Sequence, residues 1–202
     1  MSQSAGTFEL ALSLLQAGDI TQAERQLRKL LKKQPQHPGA LNVLALLLAQ
    51  SGKYAEAEEY FLAAIKVFPS SDATYYNYGI ALKALNRPPE ALEMFNRSLA
   101  INPSAPDTWN NRGTVLSNMG DAQSAIADFD KAISLNPSHF GAHANKARAL
   151  GALERHEDAC VAYDGAIALR PDFAEAWLGR GQALQALGRH DDALASYDRA
   201  IA

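Results

Sequence analysis

One spacing governs this chain. Prolines recur at Pro35, Pro69, Pro103, Pro137 and Pro171, each 34 residues from the next. Ala23, Ala57, Ala91, Ala125, Ala159 and Ala193 hold the same interval, as do Leu14, Leu48, Leu82, Leu116, Leu150 and Leu184. Three columns in one register identify an internal repeat, and a period of this length points to a stack of short structural units.

The stretch from Pro106 to His139 shows what one unit contains. Trp109, Arg112, Gly113 and Leu116 fall at i, i+3, i+4 and i+7, the spacing of one helical face. Ala125, Phe129, Ala132 and Ile133 repeat that spacing on a second helix. Between them Gly120 can close the first helix in a left-handed conformation, and Asp121 can open the second. Pro137 ends the second helix near Asn136, because proline lacks an N–H and disfavours helical geometry in the residue before it.

The columns also predict the packing. Gly113 shares its position with Ala11, Ala45, Gly79, Ala147 and Gly181, whereas Phe129 shares its position with Leu27, Phe61, Phe95, Tyr163 and Tyr197. Small residues opposite large ones interdigitate at the density of a protein interior. One such helical pair buries too little surface to stand alone, so the fold class expected is an all-α solenoid of stacked helix-turn-helix repeats.

These columns resemble the tetratricopeptide repeat: tryptophan or tyrosine, a small residue, then alanine, an aromatic residue, alanine and proline. The resemblance runs over residues 4–202 and implies a right-handed superhelix whose first helices line a concave groove. It divides a single domain, 1–202, into repeats 4–37, 38–71, 72–105, 106–139, 140–173 and an incomplete sixth, 174–202. Repeat one departs most, with Thr7 and Leu30 in place of the aromatic residue and alanine. Repeat five is expected to be slightly looser, with Glu154 at its turn and His143 in the aromatic column.

Composition narrows the function classes. The 202 residues carry 19 Lys+Arg and 22 Asp+Glu, a net charge of −3, which gives no general attraction to nucleic acid or an anionic membrane. The start, MSQSAGTFELALSLLQ, has no basic segment before its apolar stretch, which argues against a signal peptide. The longest apolar run, residues 40–49, is half of the ~20 residues needed to span a bilayer. The single cysteine, Cys160, excludes an internal disulfide and fits a reducing, cytoplasmic setting. The second helix of repeat one is basic, with Arg25, Arg28, Lys29, Lys32 and Lys33. An anionic partner site is one reading. A solvated outer face with cations toward the helix C-terminus is the other, favoured by the lack of interleaved aromatics.

Signals for catalysis, metal or cofactor are absent. GRGQAL at 179–184 falls within a helix and is no phosphate loop. His139 and His143 are spaced i, i+4, but no third ligand lies nearby in sequence, so they are read as ordinary loop histidines. His156 and His190 occupy equivalent turns and are a product of repetition.

Binding is the function to look for. One inner column reads Glu9, Val43, Asn77, Asn111, Asn145, Gly179. An asparagine amide offers a donor and an acceptor, so successive asparagines can hold a peptide backbone without reading its side chains. The three asparagines resemble the ladder in the tetratricopeptide superhelix of O-linked N-acetylglucosamine transferases and Spindly-type proteins, which grips substrate backbone; the match fails at Glu9, Val43 and Gly179. Neighbouring groove candidates are Tyr76, Lys83, Asn110, Thr114, Asn118, Arg148 and Gln182. The lysine–asparagine–arginine clamp by which other members take a C-terminal carboxylate is not reproduced.

The expected role is a non-catalytic scaffold that takes an extended peptide or partner segment in its groove. The alternatives are the substrate-recognition arm of a larger glycosyltransferase-like enzyme and a self-associating assembly protein. The next proline of the period would fall beyond Ala202, so Leu194, Tyr197 and Ile201 are expected to be partly bare and to offer a self-association surface.

Overall fold

The computed structural model describes residues 3–201, with side chains from residue 6 onward; Ala202 lies outside them. Twelve helices and no strand occur among the described residues. They run α1 (Gln3–Gln16), α2 (Ile20–Lys33), α3 (Pro38–Gln50), α4 (Tyr54–Val67), α5 (Asp72–Ala84) and α6 (Pro88–Ile101). Then follow α7 (Pro106–Asn118), α8 (Ala122–Leu135), α9 (Phe140–Ala152), α10 (His156–Leu169), α11 (Ala174–Ala186) and α12 (His190–Ile201). Each repeat is one odd and one even helix. The chain forms two compact units, one ending at Asn102 and the next starting at Pro103.

Local chemistry sets the boundaries. Pro38, Pro88 and Pro106 stand in the first turns of their helices, where a missing N–H is harmless. Asp121 accepts from the Ser124 N–H at 3.0 Å, and Asp19 from the Gln22 N–H at 3.0 Å, as N-caps do. His37 and His139 cap through Nδ1, each accepting a backbone N–H at 3.1 Å. Within every repeat the first helix closes in the same way. The leucine of the invariant column accepts from an N–H five residues on, from Asp19→Leu14 at 2.9 Å to Arg189→Leu184 at 2.9 Å. The residue before that donor is left-handed: Gly at four turns, but Asn86 at φ +55° and Glu154 at φ +58°. Repeat five therefore keeps the same turn, with Glu154 in the glycine conformation. His143 also fits its column. Its Nε2 donates to the Pro137 carbonyl at 3.0 Å, the bond that Trp109 and Trp177 make to Pro103 and Pro171 at 2.8 Å.

In the first unit α3 packs on α4 and α5, and α5 on α6. Its core is Leu27, Leu44, Leu48, Phe61, Leu82 and Phe95, all fully buried. Phe61 stacks on Tyr78 with centroids 5.1 Å apart, and Tyr78 in turn donates its hydroxyl proton to Glu58. In the second unit Phe129, Ala147, Leu150 and Leu184 anchor one continuous core, and Cys160 is buried in it as a free thiol. The small-against-large rule holds in both. A Cβ built on Gly113 would lie 2.8 Å from the Phe129 ring, and one on Gly79 2.7 Å from the Phe95 ring. Such contacts are closer than packed side chains allow.

Two ion pairs join adjacent repeats of the second unit: Lys146 to Asp130 at 2.6 Å and Arg180 to Asp164 at 2.6 Å. A third, Arg112 to Asp128, lies within one repeat. It is two-pronged, at 2.7 and 2.6 Å, and Asp128 is only 4% exposed. The Arg112 guanidinium also lies 4.5 Å from the Trp109 ring centroid, so the cation is satisfied on both sides.

Candidate functional site

The odd helices carry the predicted site residues. In the second unit α7 packs on α9 and α9 on α11, so their exposed side chains form one face. Asn110, Thr114, Asn145 and Arg148 meet there in a hydrogen-bonded row. Thr114 Oγ1 donates to the Asn110 carbonyl at 2.8 Å, and Asn145 Nδ2 donates to Asn110 Oδ1 at 2.9 Å. Arg148 Nη2 donates to Asn145 Oδ1 at 2.9 Å. Arginine can only donate, so this contact fixes which way the Asn145 amide faces.

All three asparagines of the column are engaged. Asn145 bridges two repeats. In the first unit Asn77 Nδ2 donates to Asn42 Oδ1 at 3.3 Å, the same relation one residue past the repeat period. Asn111 Nδ2 donates to the Asp107 carbonyl of its own helix at 2.9 Å. The column therefore stitches neighbouring repeats at Asn77 and Asn145, which the ladder reading did not include.

Beyond Asn145 the face opens into a cavity of about 440 Å3 between α9 and α11. Its apolar walls are Phe140, Phe173, Leu178 and the ring of Tyr163; Asn145, Arg148, Gln182 and Glu175 supply polar groups. Phe140 and Phe173 meet edge to face with centroids 4.6 Å apart, and the Arg170 guanidinium lies 4.8 and 5.4 Å from the two ring centroids. Leu178 is 46% exposed. The floor is Gly179, above which Tyr163 is seated: a Cβ there would lie 2.3 Å from Cζ and Oη of the ring. Burial pushes the Tyr163 phenol above its ordinary pKa, so it remains a neutral hydroxyl at physiological pH. A pocket of this kind, apolar with a few polar groups at its edge, suits an apolar side chain of a bound segment.

Other predicted residues stand apart from this cavity. Asn118 is exposed at the end of α7. Tyr76 and Lys83 belong to the first unit. Tyr76 is half-buried, 6.2 Å from the Phe95 centroid in a tilted arrangement, and is thus part of helix packing. Burial lowers the pKa of Lys83. Sequence reasoning missed Asn42, Phe140, Tyr163, Phe173 and Leu178. A signal existed for Tyr163: its column is phenylalanine in the three preceding repeats, and the added hydroxyl coincides with the loss of a side chain at Gly179.

Both histidines are engaged, and His143 stands on α9 rather than in a loop. His139 Nδ1 caps α9 and its Nε2 donates to Asp107 at 3.1 Å, while His143 holds Pro137. No cluster of three metal-ligating side chains occurs among the described residues, and no described helix is long and apolar enough to cross a membrane. On α12 Leu194 is 61% and Ile201 85% exposed, whereas Tyr197 is half-buried and donates to Gln185 Oε1 at 2.8 Å.

Comparison with known proteins agrees with the fold. Family models described as Tetratricopeptide repeat match residues 8–72, 43–106 and 145–202, and a second such model matches residues 79–153. No significant sequence match to a curated protein is found. Among solved structures, PilW, a type IV pilus biogenesis factor, is 24% identical with a TM-score of 0.86, over 97% of this chain and 91% of that one. PilF of Pseudomonas aeruginosa is 22% identical with a TM-score of 0.85, over 96% and 88%. YrrB, described as a TPR protein with an unusual peptide-binding site, is 20% identical with a TM-score of 0.74, over 87% and 90%. At these identities the likeness is one of fold. With six helix pairs, their shared turn geometry and the matched repeat models in agreement, the chain belongs to the tetratricopeptide repeat family.

Proposed function

We propose that this protein is a non-catalytic interaction scaffold, and that an extended segment of a partner protein binds along α9 and α11 of the second unit. The observation that carries the proposal is the coincidence, on one face, of an apolar slot with a hydrogen-bonded polar row. Phe140, Phe173, Leu178 and Tyr163 receive an apolar side chain. Arg148, Asn145 and Gln182 stand beside it to meet backbone carbonyls or a carboxylate. The row is held by its own hydrogen bonds before any ligand arrives, which lowers the ordering entropy that binding must overcome. Asn77, Asn111, Tyr76, Lys83 and Asn118 play smaller parts, since the slot is not theirs. YrrB, described as having a peptide-binding site, lends the reading the support of a shared fold. A reducing, cytoplasmic setting belongs to the proposal and rests on the single cysteine.

Selection from a library of extended peptides tests it, with the protein set beside its Leu178→Asp variant. Leu178 is half exposed, so the variant folds. Peptides with an apolar anchor are expected to bind the parent and lose at least about tenfold in the variant, the effect of a charge in an apolar slot. Equal binding by both would reject the site.

Self-association is a second reading, favoured by the exposed Leu194 and Ile201 on α12. Mass measured against concentration decides it: growth that Leu194→Ser and Ile201→Ser abolish supports it, and a monomer at high concentration removes it.

A further inference from the structure

The first unit carries a second feature that the groove does not use. Helix α2 holds Arg25, Arg28, Lys29, Lys32 and Lys33 against the single acid Glu24, a charge of +4 in a chain whose net charge is −3, which leaves −7 for everything else. Charge is thus strongly segregated onto one helix.

The pairing pattern sets Arg25 apart, while Lys29, Lys32 and Lys33 share with Lys66 and Lys131 the lack of a partner among the described residues. Among the described residues, every arginine outside α2 makes an ion pair, a hydrogen bond or a ring contact: Arg87, Arg97 and Arg112 pair with carboxylates, for example, and Arg170 and Arg199 lie over aromatic rings. In α2 only Arg28 is engaged, by Glu24 at 2.8 Å and Glu56 at 2.6 Å. Arg25, Lys29, Lys32 and Lys33 are exposed and have no partner among the described residues. The helix macrodipole accounts for Lys32 and Lys33 in the last turn. It does not account for Arg25 and Lys29, which lie outside its reach. Arg25, Lys29 and Lys32 follow one another at i, i+4 and i+7, a straight row about 10 Å long at 1.5 Å per residue. Their stems border a shallow depression of about 500 Å3 with Thr21, Glu24 and Arg28.

From this row we infer a docking surface for a short acidic segment of a partner protein. The chemistry selects that class. A lipid surface wants an apolar face to insert, but Ala23, Leu27, Leu30 and Leu31 of α2 are all buried in the first unit. Nucleic acid wants many phosphate contacts and stacking aromatics, and three cations in a short row without aromatics supply neither. A long polyanion also meets the −7 of the remaining chain. A compact acidic helix with carboxylates at i, i+4 and i+7 matches the row and avoids that repulsion. The site is independent of the groove on α9 and α11.

The test uses the whole chain and a labelled helical peptide with glutamates at i, i+4 and i+7. Phosphatidylserine vesicles and a short DNA duplex serve as competing probes. The variant Arg25→Gln/Lys29→Gln/Lys32→Gln removes the row. The control Lys66→Gln/Lys131→Gln removes two other exposed lysines that have no partner among the described residues. Peptide binding is expected to weaken at least about tenfold in the row variant, to change less than about twofold in the control, and to fall with added salt. Lys29→Gln alone, read in the same way, serves if the triple change shifts the unfolding midpoint. Equal loss in row variant and control, no peptide binding by the folded parent, or tighter binding of vesicles or DNA than of the peptide would overturn the inference.

Discussion

Tyr163 occupies the space that a side chain at Gly179 would fill, so an aromatic ring of α10 seated on α11 forms one wall of the slot between α9 and α11. The first prediction concerns this pair. Gly179→Ala forces the ring to move, because the added carbon would lie 2.3 Å from it. Overpacking of this kind costs about 1–3 kcal/mol. The denaturant midpoint is expected to fall with an unchanged slope, and peptide binding at the slot to fall with it. An unchanged midpoint would mean that the ring rotates away freely.

Ser98 stands in a column that is alanine in four of the other five repeats, and its buried Oγ has no hydrogen-bond partner. Ser98→Ala removes an unsatisfied polar atom without opening a cavity. It is expected to stabilise the protein by about 1 kcal/mol, read from the unfolding midpoint.

Glu154 holds φ +58° at a turn where four other repeats use glycine. A left-handed conformation costs a non-glycine residue about 1 kcal/mol. Glu154→Gly is therefore expected to raise stability by somewhat less than that, since glycine also adds freedom to the unfolded chain. Gly120→Ala, at φ +89°, is expected to lower stability by about 1 kcal/mol.

Asn145 bridges two repeats. Asn145→Ala breaks the links to Asn110 and Arg148 and is expected to cost about 1 kcal/mol, the net value of a protein hydrogen bond. The unfolding midpoint of Asn145→Ala, measured beside the parent, decides the matter.

Glu58 predicts a pH dependence. The Arg87 guanidinium, and then the Tyr78 hydroxyl, hold its carboxyl below the ordinary value. A carboxyl whose pKa is lowered on folding contributes stability above its unfolded pKa, near 4.3, and loses that contribution as pH falls through the lowered folded value. Glu58→Gln is expected to destabilise by roughly 0.5–1 kcal/mol at pH 7, since the pair is partly exposed. The gap between the two proteins closes below about pH 4. A gap that persists in acid would locate the effect in packing.

The fold was legible because identical letters recur in register. Pro137 and its partners mark helix ends, and the Gly113 and Phe129 columns pair small with large. What escaped were contacts that do not follow the period. Asn42 meets Asn77 at a separation of 35, Phe140 meets Phe173 at 33, and Tyr163 meets Gly179 at 16. Such offsets depend on how neighbouring repeats slide and lean against each other, which no single column displays. The slot arises where the last two of these offsets converge, so Asn145, Arg148 and Gln182 were anticipated while its apolar walls were not. Repeat five keeps the shared geometry at both of its departures from the pattern: Glu154 adopts the left-handed turn at a conformational cost, and His143 reproduces the hydrogen bond of a tryptophan.

Hydrogen exchange of the protein with and without its tightest library peptide tests the central claim most directly. Binding in the slot predicts slowed exchange concentrated in α9 and α11, lost in Leu178→Asp. Protection confined to other helices, or unaltered by that substitution, would contradict it.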